Sequence, residues 1–175
     1  NNAFSVAGGD GKSLIATDHP LGGGGSLANR ATTMADLNET SLEDNLIGIS
    51  TFTDDRGLNI ALRGMKLIVP PQLVFVADRL LQSPGRTATS DNDINAINNM
   101  NSMLPNGYVV NHYLTDTDAY FIKTDCPDGF KYFERSPMQT ALEGDFDTGN
   151  MRYKARERYS FGYSNFRAVY GSQGA

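Results

Sequence analysis

The sequence predicts an α+β fold in which helices lead and an antiparallel-leaning sheet follows. Three observations carry this. Apolar residues recur at helical spacing only up to Leu104. From Tyr108 onward the alternation has period two, in runs rich in aromatic and β-branched residues. Asn, Asp, Gly and Thr are abundant throughout, so much of the backbone is turn and loop.

A length of 175 residues suits one ordinary domain, or two small lobes sharing a spine. Hydrophobic content is 39% and mean hydropathy −0.38, low for a chain with a large private core. Part of the stability is therefore expected from neighbouring subunits. No run approaches the ~18 apolar residues of a membrane span. The chain does not begin with Met and shows no signal-peptide pattern, so a processed or truncated N-terminus is expected.

Residues 1–36 read as loop. Within them, Gly22–Ser26 has the composition of a flexible linker, and we read it as a loop because the polar style continues through Arg30. The first helix is expected over Ser41–Thr53, with Leu42, Leu46, Ile49 and Phe52 on one stripe. Ser41-Leu42-Glu43-Asp44 fits a capping box, and Asn38 is an equally good earlier cap. Gly57 suits a left-handed position after the helix. A short element, Leu58–Leu62, and a strand, Lys66–Val69, come next. Pro70 and Pro71 stop that strand, and Pro71 fits the first position of a helix. Leu73, Val76, Ala77, Leu80 and Leu81 form the inward stripe of that helix, which Ser83-Pro84-Gly85 ends. Residues 86–93 read as a mobile polar loop, and Ile94–Met103 as a short helix with Ile97, Met100 and Leu104 inward. Strands are expected at Tyr108–Tyr113, Asp118–Thr124, Phe130–Arg135, Arg152–Tyr163 and Phe166–Tyr170, with Asp125–Gly129 as a hairpin loop.

Catalytic and ligand-binding patterns fail on inspection. Gly11-Lys12-Ser13 lacks the phosphate-loop glycine five residues earlier, where Val6 stands. Asp91-Asn92-Asp93-Ile94-Asn95 opens like a calcium loop, but Ala96 replaces the turning glycine and Ser102 the bidentate glutamate. His19 and His112 lie in unlike contexts and form no metal-binding pair. The single cysteine, Cys126, sits among aspartates that disfavour a thiolate. No catalytic residue, cofactor or metal is expected, and the protein reads as a non-enzyme.

A net charge of −5 and a pI near 4.9 make sequence-specific nucleic-acid binding unpromising. Arg152, Lys154, Arg156 and Arg158 nevertheless fall at spacing two, on one face if the segment is a strand. A solvated face or inter-subunit ion pairs is the favoured reading; non-specific contact with packaged nucleic acid is the alternative.

The order of these pieces resembles the C-terminal portion of a tailed-phage major capsid protein of the HK97-like fold. Ser41–Thr53 is similar to its spine helix, and Val69-Pro70-Pro71-Gln72-Leu73 to the strand-to-helix step opening its axial lobe. Asn92–Asn95 is similar to its Asn-Asp-x-Asn turn, and Leu114-Thr115-Asp116 and Tyr120-Phe121 to its next strands. The Arg/Tyr/Phe run Arg152–Tyr170 resembles the strands returning to the peripheral lobe. The resemblance implies a loop-rich segment at 1–36, a peripheral lobe with spine helix at 37–65 and 150–175, and an axial lobe at 66–149. The N-terminal arm and extended loop that such subunits carry before the spine helix are not visible.

By that resemblance the chain is a self-assembling shell subunit, forming pentamers and hexamers around double-stranded DNA in a virion assembled in the host cytoplasm. Its partners would be copies of itself and scaffold or other capsid proteins, with no membrane. Arg152, Lys154, Arg156, Arg158, Asp44 and Arg56 are the candidate interface or inner-face residues. An encapsulin-like compartment is an alternative on the same fold. A surface or carbohydrate-binding β module is another, and an enzyme using Asp91, Asp116 and Asp118 a third.

Overall fold

The computed structural model describes residues 2–86, 93–99 and 103–175. It is mixed α+β. A short hairpin pairs β1 (His19–Pro20) with β2 (Ser26–Leu27), enclosing the glycine run. Helix α1 covers Glu39–Ser50. Of the two candidate caps, Asn38 is the one used: its side chain accepts from Ser41 N at 2.8 Å, and Ser41 Oγ accepts from Asn38 N at 3.0 Å. Ser41 thus closes the box from inside the helix. The helix accordingly begins earlier than expected and ends at Ser50, short of Thr53. Gly57 adopts φ +84°, in the turn beyond Asp54 rather than at the helix end.

Strand β3 (Gly64–Val69) runs into Pro70. A 3₁₀ turn over Pro71–Leu73 leads directly into α2 (Val74–Gln82), where Ala77, Leu80 and Leu81 are buried as the periodicity requires. Asn98 and Asn95 hold the end of α2 through Ser83 O, each at 3.0 Å. Helix α3 is described over Ala96–Asn99 and begins two residues later than the Ile94–Met103 helix expected; Ile94 precedes it exposed, while Ile97 and Leu104 are buried. Most of the 86–93 loop, Met100, and Asn92 of the Asn-Asp-x-Asn turn lie outside the described residues.

Strands β4 (Tyr108–Val110), β5 (Tyr120–Thr124) and β8 (Val169–Ser172) complete a four-stranded sheet of order β4-β3-β5-β8. β4 lies parallel to β3, as a strand following a helical crossover must, and β5 is antiparallel to both β3 and β8. One face carries the main core. There Leu42, Leu46 and Ile49 of α1 and Ala77, Leu80 and Leu81 of α2 meet Leu67, Val69, Tyr120, Ile122 and Tyr170. The other face is covered by the N-terminal segment, with Ile15 packed on Phe121 and Val169 and Phe4 alongside.

Three expectations need correction. Asp125–Gly129 is no hairpin loop, because the strands it joins do not pair with each other. Leu58–Leu62, expected as a short element, has no regular structure beyond a bridge between Thr53 and Asn59. Phe166–Ala168 is a 3₁₀ turn, capped by the Asn165 side chain, and only then does the chain become β8.

Candidate functional site

Strands β6 (Phe130–Gly144) and β7 (Met151–Tyr163) form an antiparallel ribbon inserted between β5 and β8. They pair only with each other. The Phe130–Arg135 strand therefore continues nine residues further than expected. Its extension crosses Pro137, which supplies no ladder N–H, and the register shifts between Glu134 and Ser136 and again between Ser136 and Gln139. The proline thus falls in a bulge, where its missing donor does no harm. The turn 145–150 joins the strands, with Thr148 Oγ1 donating to Asp145 Oδ2 at 2.9 Å, and the lobe boundary drawn at 149/150 falls in it.

The root of the ribbon is built tightly. Ser164 N donates to Gly129 O at 2.8 Å, and a Cβ on Gly129 would come within 2.0 Å of the Ala168 Cβ. Tyr163 Oη donates to Lys12 O at 3.3 Å, and burial together with the Asp10 carboxylate raises its hydroxyl above the usual range. Phe166 stacks on the fully buried His19 ring, centroids 4.0 Å apart, and His19 Nδ1 faces Asp10 Oδ2 at 2.6 Å. Arg167, also buried, donates to Thr53 O and Asp55 Oδ1, both at 2.9 Å.

Beyond that root, no residue from Tyr132 to Phe161 is buried. Because β7 is a strand, Arg152, Lys154, Arg156 and Arg158 do share a face, opposite Glu143, Ala141, Gln139 and Ser136. Only one acid therefore stands across from four cations. Arg152 reaches Asp145 at 3.4 Å, and among the described residues Lys154, Arg156 and Arg158 make no ion pair. Asp44 lies exposed on α1 and Arg56 exposed in the turn after it; no ion pair joins either to the ribbon among the described residues.

The opposite face is largely aromatic, and the alternation in β7 that reveals the cations also contains it: Met151, Tyr153, Tyr159 and Phe161 occupy odd positions, with Ala155 and Glu157 between them and Glu134 across from Tyr159. Tyr132 lies across from Phe161, ring centroids 5.3 Å apart, and Tyr159 closes a three-ring cluster at 6.0 and 5.5 Å. Beyond Glu134, Glu157, Thr140 and Ala155 on the same face, Leu142 and Tyr153 form a second apolar patch as a cross-strand pair. These residues remain half to three-quarters exposed: Tyr132 56%, Tyr153 68%, Phe161 74%. Partial desolvation beside the other rings, with Glu134 and Glu157 nearby, raises the Tyr132 hydroxyl above its ordinary value. At the tip, Phe146 is fully exposed.

Elsewhere, Asp116 accepts from Asp118 N at 3.2 Å in a surface turn, and Asp91 lies outside the described residues. Among the described residues, no group of three His, Cys, Asp or Glu side chains is placed to hold a metal, and no helix is long and apolar enough to cross a membrane. Burial, reinforced by Asp125 and Asp128 against an opposing effect of Arg167, raises the Cys126 thiol.

A family model described as phage capsid protein matches residues 1–172. No curated protein matches. Among solved structures, the virus-like particle from Pyrococcus furiosus is similar, at 13% identity and a TM-score of 0.48. The match covers 82% of this chain and 55% of that one, so the chain spans about half its length.

Proposed function

Because the chain belongs to the phage capsid protein family over residues 1–172, we propose that it is a capsid shell subunit of HK97-like architecture, with α1 as spine helix. Copies of it would assemble into pentamers and hexamers of an icosahedral shell around double-stranded DNA. The family match carries this reading. The physical support is a ribbon whose two faces are both exposed in the single chain, beside a main core of modest size. A surface of that kind suits a subunit that many identical neighbours complete. In this reading 66–149 forms the axial lobe and 37–65 with 150–175 the peripheral lobe, with Arg152, Lys154, Arg156, Arg158, Asp44 and Arg56 at interfaces or on the inner face. Net charge of −5 also suits a container, which holds a polyanion without gripping it.

Electron microscopy of the expressed protein tests the proposal. Closed shells or capsomer rings are expected; a dispersed monomer at high concentration would sink it. The contents of purified shells decide what is enclosed: double-stranded DNA supports the viral reading, and a protein cargo an encapsulin-like compartment.

A further inference from the structure

We propose that the aromatic face of the β6–β7 ribbon, rather than its basic face, is the surface that seats on a second copy of this chain. The inference rests on the shell-subunit reading and deepens it. A lone two-stranded hairpin is marginally stable in water. This one extends through paired strands of 15 and 13 residues with Tyr132, Leu142, Met151, Tyr153, Tyr159 and Phe161 at 51% exposure or more on one side. Glu134, Glu157, Thr140 and Ala155 divide this side into two apolar patches, the three-ring cluster at the root and the Leu142–Tyr153–Met151 group near the tip, and exposed patches of this kind mark a binding face.

Size and charge point to the occupant. Burying an aromatic side chain removes on the order of 150–250 Å² from water. Four half-exposed rings with Leu142 and Met151 therefore approach the ~800 Å² per partner of a standard interface. The ribbon, residues 130–163, holds six basic and five acidic side chains; the remainder of the chain holds nine and fifteen. The ribbon is thus weakly positive and the body strongly negative. Body would repel body, so net charge favours the encounter of ribbon with body, while the area of the apolar patches, with Glu134 and Glu157 left at their solvated margin, supplies the contact. A nucleic-acid partner would instead cover the basic face and leave the rings in water.

The test uses the full chain, with association followed by sedimentation across a concentration series. The variant Y153S/Y159S/F161S is expected to weaken association by about 100-fold, the scale of losing a hot-spot cluster. The variant R152Q/K154Q/R156Q/R158Q is expected to weaken it by less than about tenfold, the scale of rim charges. Both should melt at the parent temperature, since the ribbon pairs with no strand of the sheet. A photo-crosslinker at Phe161 should yield covalent dimers whose joined peptides come from two copies, in the absence of nucleic acid. If the parent associates and the aromatic variant does so equally well, the inference falls and the shell reading stands. A parent that stays monomeric overturns both. Association that appears only on adding a DNA fragment overturns this inference in favour of the basic face.

Discussion

Asn29 is the side chain through which the N-terminal segment holds the edge of the sheet. It is fully buried, and its amide donates to Leu14 O at 2.7 Å and to Phe166 O and Val169 O at 3.1 Å. Its carbonyl accepts from Ala16 N at 2.9 Å. Asn29→Ala leaves these groups dry and unpaired, so chemical denaturation should show a loss of about 3 kcal/mol, with β8 the first strand to exchange its amides. Tyr170 offers a pH handle. Burial, with smaller contributions from Tyr120 and Asp44, raises its hydroxyl to about 12. The unfolded phenol titrates near ~10. A folded value above the unfolded one means that stability is complete below about pH 10 and is lost as pH rises towards 12. Tyr170→Phe should remove about 2–3 kcal/mol of that alkaline decline, read as melting temperature against pH beside the parent.

At the scale of elements, what faces the core was legible and what faces solvent only in part, β7 being found and β6 only at its root. The stripe Leu42, Leu46, Ile49 predicted α1 because burial on one side imposes the helical period, and all three are buried. The same held for Ala77, Leu80 and Leu81 in α2. Strand β6 runs past its expected end at Arg135 and across Pro137, a stretch where nothing buries the strand to impose alternation. Partner choice failed for a related reason. Asp125–Gly129 has turn composition, but composition says nothing of whether the flanking strands meet, and here they do not. The basic face of β7 is legible from its spacing; Tyr153, Tyr159 and Phe161 stand in the same alternation, but aromatic residues at strand spacing do not by themselves tell a solvent face from a core face. Replacing residues 133–160 by a two-residue Asn-Gly turn tests the ribbon's independence. Melting should shift by no more than a few degrees, since the main core includes no ribbon residue. A collapse of the folded state would show that the ribbon supports the sheet.

At the scale of the whole molecule, charge segregation should set how fast copies meet, while apolar contact sets how long they stay. The weakly positive ribbon and strongly negative body attract each other across some tens of ångströms at low ionic strength. At ~0.15 M salt that attraction is screened beyond ~8 Å. Contact between Tyr132, Tyr159, Phe161 and an apolar partner surface is far less sensitive to salt. Raising salt from ~20 to ~300 mM should therefore slow association severalfold and leave dissociation nearly unchanged. Stopped-flow light scattering after a concentration jump reads the first, and dilution from the assembled state the second. In R152Q/K154Q/R156Q/R158Q the ribbon keeps two basic and five acidic side chains, so it repels the body and raising salt should speed association rather than slow it. Salt acting mainly on dissociation would mean that the cations are buried in the contact, and the two faces of the ribbon would have to exchange roles.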